Sequence, residues 1–437
     1  MSRIVSDNLI SIAYLLVWIC TLVWYQRKNP KWDGGSVIML TYILYAFVSI
    51  LTINDPIEIK EYIYLPLKVF PYIFLYLMLM LALSPAIQYH LHPIKEIINP
   101  NTRVLTVLCW VIIITGILQL PDILSNSGSG MVNLIMDTDA GKDAYHEQLE
   151  NASGSGAKIT NLASVIFNSL NDITVFVCFY LVTLKRKNIW LICGLLLCIF
   201  ITILQPLMSG QRGPTMYAVL TALVGFMLFK QFMSRRIVNI VKRTGMVLVI
   251  LTMIPITAIT MSRFSNRAEA AIGTFMSWYF GQGNIYFNNY ALDDNGIRYG
   301  DRTFNLIKRA IDSNTPKNFV ERREKYHNLY CDDNLFVTFV GDFCIDFGPY
   351  IAVVIFLVFN YYVLRRTKPK NGKMKLHQVF LLYFTLCICM QGGMTLFSYS
   401  DTANIKMFVM IMFYSYLCYH DILAQRFPKK IKICCTE

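Results

Sequence analysis

The sequence predicts an all-α polytopic membrane protein with about eleven transmembrane helices, and three observations predict it. Of the 437 residues, 55% are hydrophobic and only 15% charged, the balance of a chain solvated by lipid rather than by water. Apolar stretches of roughly 18 to 25 residues, each able to cross a hydrocarbon layer of about 30 Å, recur from end to end. Lys and Arg collect in alternate connecting segments, as they do where such segments stay cytoplasmic.

Taken in order, the apolar spans run at about 8–25, 35–54, 64–84, 104–121, 159–184, 189–208, 214–232, 245–263, 341–364, 376–396 and 403–422. The first has no A-x-A-like cleavage site and is followed by "QRKNPK", so it reads as a retained helix with its N-terminus outside. The segments "KRK", "KQFMSRRIVNIVKR", "RRTKPKNGKMK" and "QRFPKKIK" then fall inside, and "NDPIEIKEY", "SGQRG" and "SYSDTANIK" outside. These inner loops account for most of the formal charge of +13, so no nucleic-acid partner is expected.

The chain reads as one integral membrane domain, 1–437, with two long extracytoplasmic loops. One covers 122–158, bordered by "SNSGSG" and "NASGSG"; the other, 264–340 between helices 8 and 9, is long enough to form a small cap. The twelve cysteines lie almost entirely within apolar spans or the inner tail. Cys331 alone falls in an outer loop, so no disulfide framework is expected. Neither a zinc-binding nor a nucleotide-binding motif occurs, and no metal or cofactor is expected.

Counting at about 1.5 Å per residue from the inner end of each span brings several charges to one outer level. Arg212 stands just beyond the end of the sixth span, Arg263 at the end of the eighth, and Asp342 and Asp346 at the start of the ninth, with Gln391 about one turn below. Either arginine can be an interfacial anchor that snorkels to lipid phosphates. In "SGQRGPT", however, Gly210 and Gly213 bracket Arg212 and Pro214 follows. Bare backbone N–H groups beside a guanidinium suit a phosphate or pyrophosphate.

Arg267 lies four residues after Arg263, and Arg298 and Arg302 are likewise four apart, a spacing that shares a face if the segment is helical. The second pair reads either as a solvated face or as further substrate contacts. In "FVGDFCIDFGPY", Asp342 and Asp346 share a face ahead of a bend at Gly348 and Pro349. They either balance the arginines or orient and deprotonate a hydroxyl. His327 is the rival base, or an exposed loop residue. Trp278, Tyr279, Gln282 and Tyr286, in "MSWYFGQGNIYFNNYALDD", mix rings with amides, as a sugar site does and as an interfacial aromatic belt also does. Asp172, near mid-membrane, reads as a proton site or as an acid paired with a polar neighbour.

The "SGQRGPT" junction, the long late outer loop with arginines at its root, and the following "GDF-x-x-DFG" pattern together resemble the bacterial oligosaccharide repeat-unit polymerases, the Wzy-type O-antigen and capsule polymerases. The resemblance covers most of residues 150–420. It implies a metal-independent membrane glycosyltransferase with a GT-C-like fold. Such an enzyme moves a glycan from undecaprenyl pyrophosphate onto another lipid-linked repeat unit, at the periplasmic face of the bacterial inner membrane. Arg212 and Arg263 would hold the pyrophosphate, Arg267 would assist, and His327, Asp342 or Asp346 would handle the acceptor hydroxyl. The implied partners are the lipid-linked donor and acceptor, membrane lipids, a chain-length regulator and a flippase. An O-antigen-ligase-like transferase shares this donor and these arginines. A lipid-linked oligosaccharide flippase or transporter is the rival of another class.

Overall fold

The computed structural model describes residues 3–55, 64–98, 102–121, 159–185, 187–208, 212–264, 272–395 and 401–426. They are almost entirely helical, in the order α1 (Arg3–Lys28), α2 (Gly34–Asn54), α3 (Val69–Leu91), β1 (Glu96–Ile98), α4 (Thr102–Ile117), α5 (Ile159–Ser169), α6 (Asn171–Thr183), α7 (Ile189–Met208), α8 (Arg212–Phe229), α9 (Arg235–Phe264), α10 (Ile272–Tyr286), α11 (Asn305–Arg309), α12 (Phe319–Lys325), α13 (Thr338–Phe347), α14 (Pro349–Thr367), β2 (Lys373–Lys375), α15 (Leu376–Gln391) and α16 (Asp401–Arg426). The 122–158 loop lies outside the described residues.

Every expected span falls on a helix, but not all are long spans. Among the described residues seven helices are long and apolar enough to cross a membrane, or eight if α5 and α6, bent by 54° at their junction, form one broken span. α4 and α15 are shorter apolar helices, and α16 carries Lys406 and Asp421 among its apolar residues. The chain is therefore an all-α polytopic membrane protein.

Aromatic residues and glycines set the packing. Trp18 is fully buried, edge-on to Tyr42 and Tyr76 at 5.0 and 5.2 Å, and joins α1, α2 and α3. Elsewhere small residues let helix backbones approach. A Cβ at Gly225 of α8 would meet Phe179 of α6 at 2.8 Å, and one at Gly194 of α7 would meet Ile113 of α4 at 2.5 Å. α9 is almost wholly exposed along its flank, as a lipid-facing helix is.

Three of the basic segments come together at one end of the bundle. There Lys230 donates to the Trp32 carbonyl, Gln378 to the Arg366 carbonyl at 2.7 Å, and β1 and β2 pair in parallel with Glu96 opposite Lys373. The segments at residues 54, 64–68 and 288–289 meet at the other end, the cap end.

Two expectations need correction. The ninth span does not start at residue 341. Gly348, at φ +84°, stops α13, and Pro349 starts α14, so a short buried helix carrying both aspartates precedes the span. The 264–340 segment is not all cap either. α10 lies against α2, where Gly281 has Ser49 backbone at 3.0 Å from its Cβ direction and accepts a 2.8 Å hydrogen bond from the Ser49 hydroxyl.

Candidate functional site: a capped cavity in the helix bundle

The part of the cap beyond α10 is organised by charge. Arg298, Arg302 and Arg322 are among the largest fully buried side chains, facing Asp294, Asp333 and Asp342. Arg302 reaches Asp333 at 2.6 Å and Asp342 at 2.9 Å; Arg298 pairs with Asp294 and donates to the Cys331 carbonyl at 2.6 Å; Arg322 pairs with Asp333. Three cations thus meet three anions, as buried charges require.

Burial alone would raise Asp333, but Arg302, Arg322 and Arg298 together pull its carboxyl down to about 2. For Asp294 burial outweighs Arg298 and holds the carboxyl above its usual range. Asp301 is lowered despite burial, because Lys308, Lys325 and Tyr326 all donate to it. Burial also pushes the Cys331 thiol up to about 12, so Cys331 is a protonated, inert side chain.

The expected site residues divide accordingly. Arg298 lies in irregular backbone and Arg302 in a turn, neither on a helix, and their guanidiniums are buried in the cap core. Asp346 is fully buried and accepts from three backbone N–H groups, those of Gly300, Arg302 and Thr303, at 3.0, 3.2 and 2.8 Å. It caps a turn, and burial holds its carboxyl above the usual range. Asp342 is buried too, between Arg302 and the Thr395 hydroxyl at 2.8 Å. His327 is exposed, with Nδ1 2.7 Å from the Glu324 carbonyl of its own turn, so the structure does not bring it to the aspartates' buried level.

The aromatic and amide motif is also turned inward. Gln282 is buried and accepts from the Phe336 N–H at 3.2 Å. Asn288 and Asn289, in a π-helical turn at Phe287–Ala291, hold the backbone of Lys68 and Leu65 in paired bonds of 2.7 to 3.1 Å. Tyr286 is buried and stacks with Tyr290, whereas Trp278 and Tyr279 are half-buried, Tyr279 edge-on to Phe336 at 5.2 Å. These amides join chain segments.

Beneath the cap, the bundle holds a partly open cavity of about 1040 Å³. Much of its wall is apolar, from Phe339, Phe343 and Phe356 of α13 and α14 to Leu381, Phe384, Met407 and Met410 of α15 and α16. A polar set is contributed by Asn168, Asn171 and Asp172 at the α5–α6 break, Thr202 and Gln205 of α7, Tyr217 of α8, Gln391 of α15 and Lys406 of α16. Lys406 pairs with Asp172 at 2.9 Å, and Thr202 donates to Asn171 at 3.1 Å. Gln391 donates to Thr221 at 2.6 Å. The cap meets this cavity through the turn after α15: the Thr338 and Phe339 N–H groups donate to Met394 and Gly392, and Thr395 donates to Asp342.

Pro206 of α7 and Pro214 of α8 line the cavity. α8 begins at Arg212, two residues ahead of the expected Pro214, and Gly213 is half-buried. Gly210 and Arg267 lie outside the described residues, as do the side chains of Arg212 and Arg263. Among the described residues no group of three or more metal-ligating side chains converges.

Sequence reasoning took Lys406 for a cation of a short outer loop. The available signal was a lysine five residues into a 26-residue helix that opens with Asp401, since a cation so placed faces a partner or a cavity. No family model matches the chain, and no curated protein or solved structure matches it either.

Proposed function

We propose that this protein is a membrane-embedded glycosyltransferase of lipid-linked oligosaccharides, with repeat-unit polymerisation from undecaprenyl pyrophosphate as its reaction. The observation that carries the reading is the cavity: a large apolar chamber in a helical bundle, with a polar set in one part of its wall. Its apolar wall suits a polyprenyl tail, and its polar part suits the phosphates and first sugars. In the reaction, a bond forms from the acceptor hydroxyl oxygen to the anomeric carbon as the bond from that carbon to the phosphate oxygen breaks. The electron pair leaves with the pyrophosphate, and the hydroxyl proton passes to it or to solvent. Arg212 and Arg263 neutralise the departing charge. The cap core positions the turn after α15 rather than contributing a base. The eleven-span, GT-C-like architecture and the periplasmic placement of the site belong to this proposal.

One observation favours a transporter of the same lipid-linked substrates: α5 and α6 form a broken span with an ion pair beside the break, a feature of transporters that bind substrate at discontinuous helices. In vitro polymerisation separates the two. Purified protein, undecaprenyl-pyrophosphate-linked repeat units and no added metal are expected to give a ladder of lipid-linked oligomers, lost in Arg212→Ala and Arg263→Ala. Movement of labelled lipid across proteoliposomes without a ladder decides for transport.

A further inference from the structure

The Lys406–Asp172 pair faces a cavity large enough to hold a ligand, unlike the closed pairs of the cap. Lys406 lies about 8 Å along α16 from Asp401, whose carboxylate pairs with Arg309 of the cap, so it sits below the cap and inside the bundle. Its side chain is still 29% exposed, while that of Asp172 is 11% exposed. Asp172 is in the first turn of α6, where a carboxylate is stabilised by the helix start. Here a single carboxylate supplies the charge opposite the cation, beside open volume walled largely by apolar side chains.

We propose that Lys406 is the anion receptor of this cavity and that Asp172 is its resident counter-ion, displaced when the phosphate of a polyprenyl phosphate or pyrophosphate enters. The chemical class follows from the wall: an anionic head for Lys406 and a long apolar tail for the Phe- and Met-lined remainder. The inference rests on the lipid-linked reading above for its ligand, but not on glycosyl transfer. Displacement works by exchange. The Asp172 carboxylate swings to Asn171, Thr202 and water, and the phosphate, with more charge and more acceptor oxygens, takes its place on the ammonium.

The test is binding of undecaprenyl phosphate to the full-length protein in detergent, beside undecaprenol and inorganic pyrophosphate. Lys406→Gln should weaken undecaprenyl phosphate binding tenfold or more, and Lys406→Arg should retain it. Asp172→Asn, which removes the competing carboxylate, should tighten binding several-fold. Equal weakening by Asp172→Asn and Lys406→Gln marks a merely structural pair and overturns the proposal. So does undecaprenol binding as tightly as its phosphate, or inorganic pyrophosphate alone binding as tightly as the lipid. If Lys406→Gln fails to fold, Asp172→Asn decides alone, since tightening is not something a structural pair predicts. The two readings fail separately: charge-dependent binding without any ladder removes polymerisation and leaves this site, and a ladder with unchanged KM in Lys406→Gln does the reverse.

Discussion

The cap core and the membrane cavity both hide charge, in opposite ways. In the cap, three arginines and three aspartates interlock as buried pairs, and Arg302 by itself spans Asp333 and Asp342. In the cavity, Asp172 and Lys406 face each other beside about 1040 Å³ of space. Mutual pairing ties the members together, because removing any one strands another in a poor solvent. A pair beside open volume has an alternative partner available whenever a charged ligand enters. Charge beneath the surface is therefore not by itself a sign of a site; the volume next to it is.

Breaking the cap network should give the largest effect. Arg302→Met is expected to cost about 3–5 kcal/mol, by leaving Asp333 and Asp342 short of a cation, seen as a large drop in thermal unfolding temperature in detergent. Survival of that variant at wild-type temperature would falsify the view of the cap as a closed unit. Acid should act more gently on the same network. The Asp333 carboxyl sits at about 2, below its ordinary 3.8, so its stabilisation is complete at neutral pH and down to about pH 5. It begins to fade near the ordinary value and is lost as pH falls through about 2. The sum is about 2 kcal/mol, and unfolding followed against pH in wild type and Asp333→Asn reads it, with the acid slope reduced in the variant.

The cavity pair sharpens the contrast from the other side. Asp172→Asn is expected to change stability by on the order of 1 kcal/mol, because Lys406 remains partly solvated, while it moves lipid binding strongly; a cap-sized loss of stability in that variant would make the two regions alike. Smallest of all is His327→Ala. The ring is exposed and bonded only to its own turn in the described contacts, so stability should stay within about 0.5 kcal/mol and any transferase rate should be unchanged. A pH–rate profile that loses a limb in this variant would restore the histidine as a base.

Much of this was present in the chain order. Apolar runs of crossing length and the Gly348–Pro349 break follow from local composition and backbone stereochemistry, and each landed on a helix or a helix end. Depth counting likewise brought Asp342 and Asp346 to one level, and one of the two readings of Asp172, an acid paired with a neighbour, matches its pair with Lys406. The sequence could not say which charges face a ligand. Arg302 meets Asp333 and Asp342 across 31 and 40 residues, Gln282 meets Phe336 across 54, and the Asn288 amide meets Lys68 across 220. Those pairings depend on how the helices are laid beside one another, as does the open space beside Lys406. Periodicity and charge are properties of neighbours along the chain, and by themselves they determined a polytopic helical membrane protein. Burial, pairing and volume arise between segments distant in sequence, so only the tertiary structure decided that the arginines of the cap are closed and the lysine of the cavity is open.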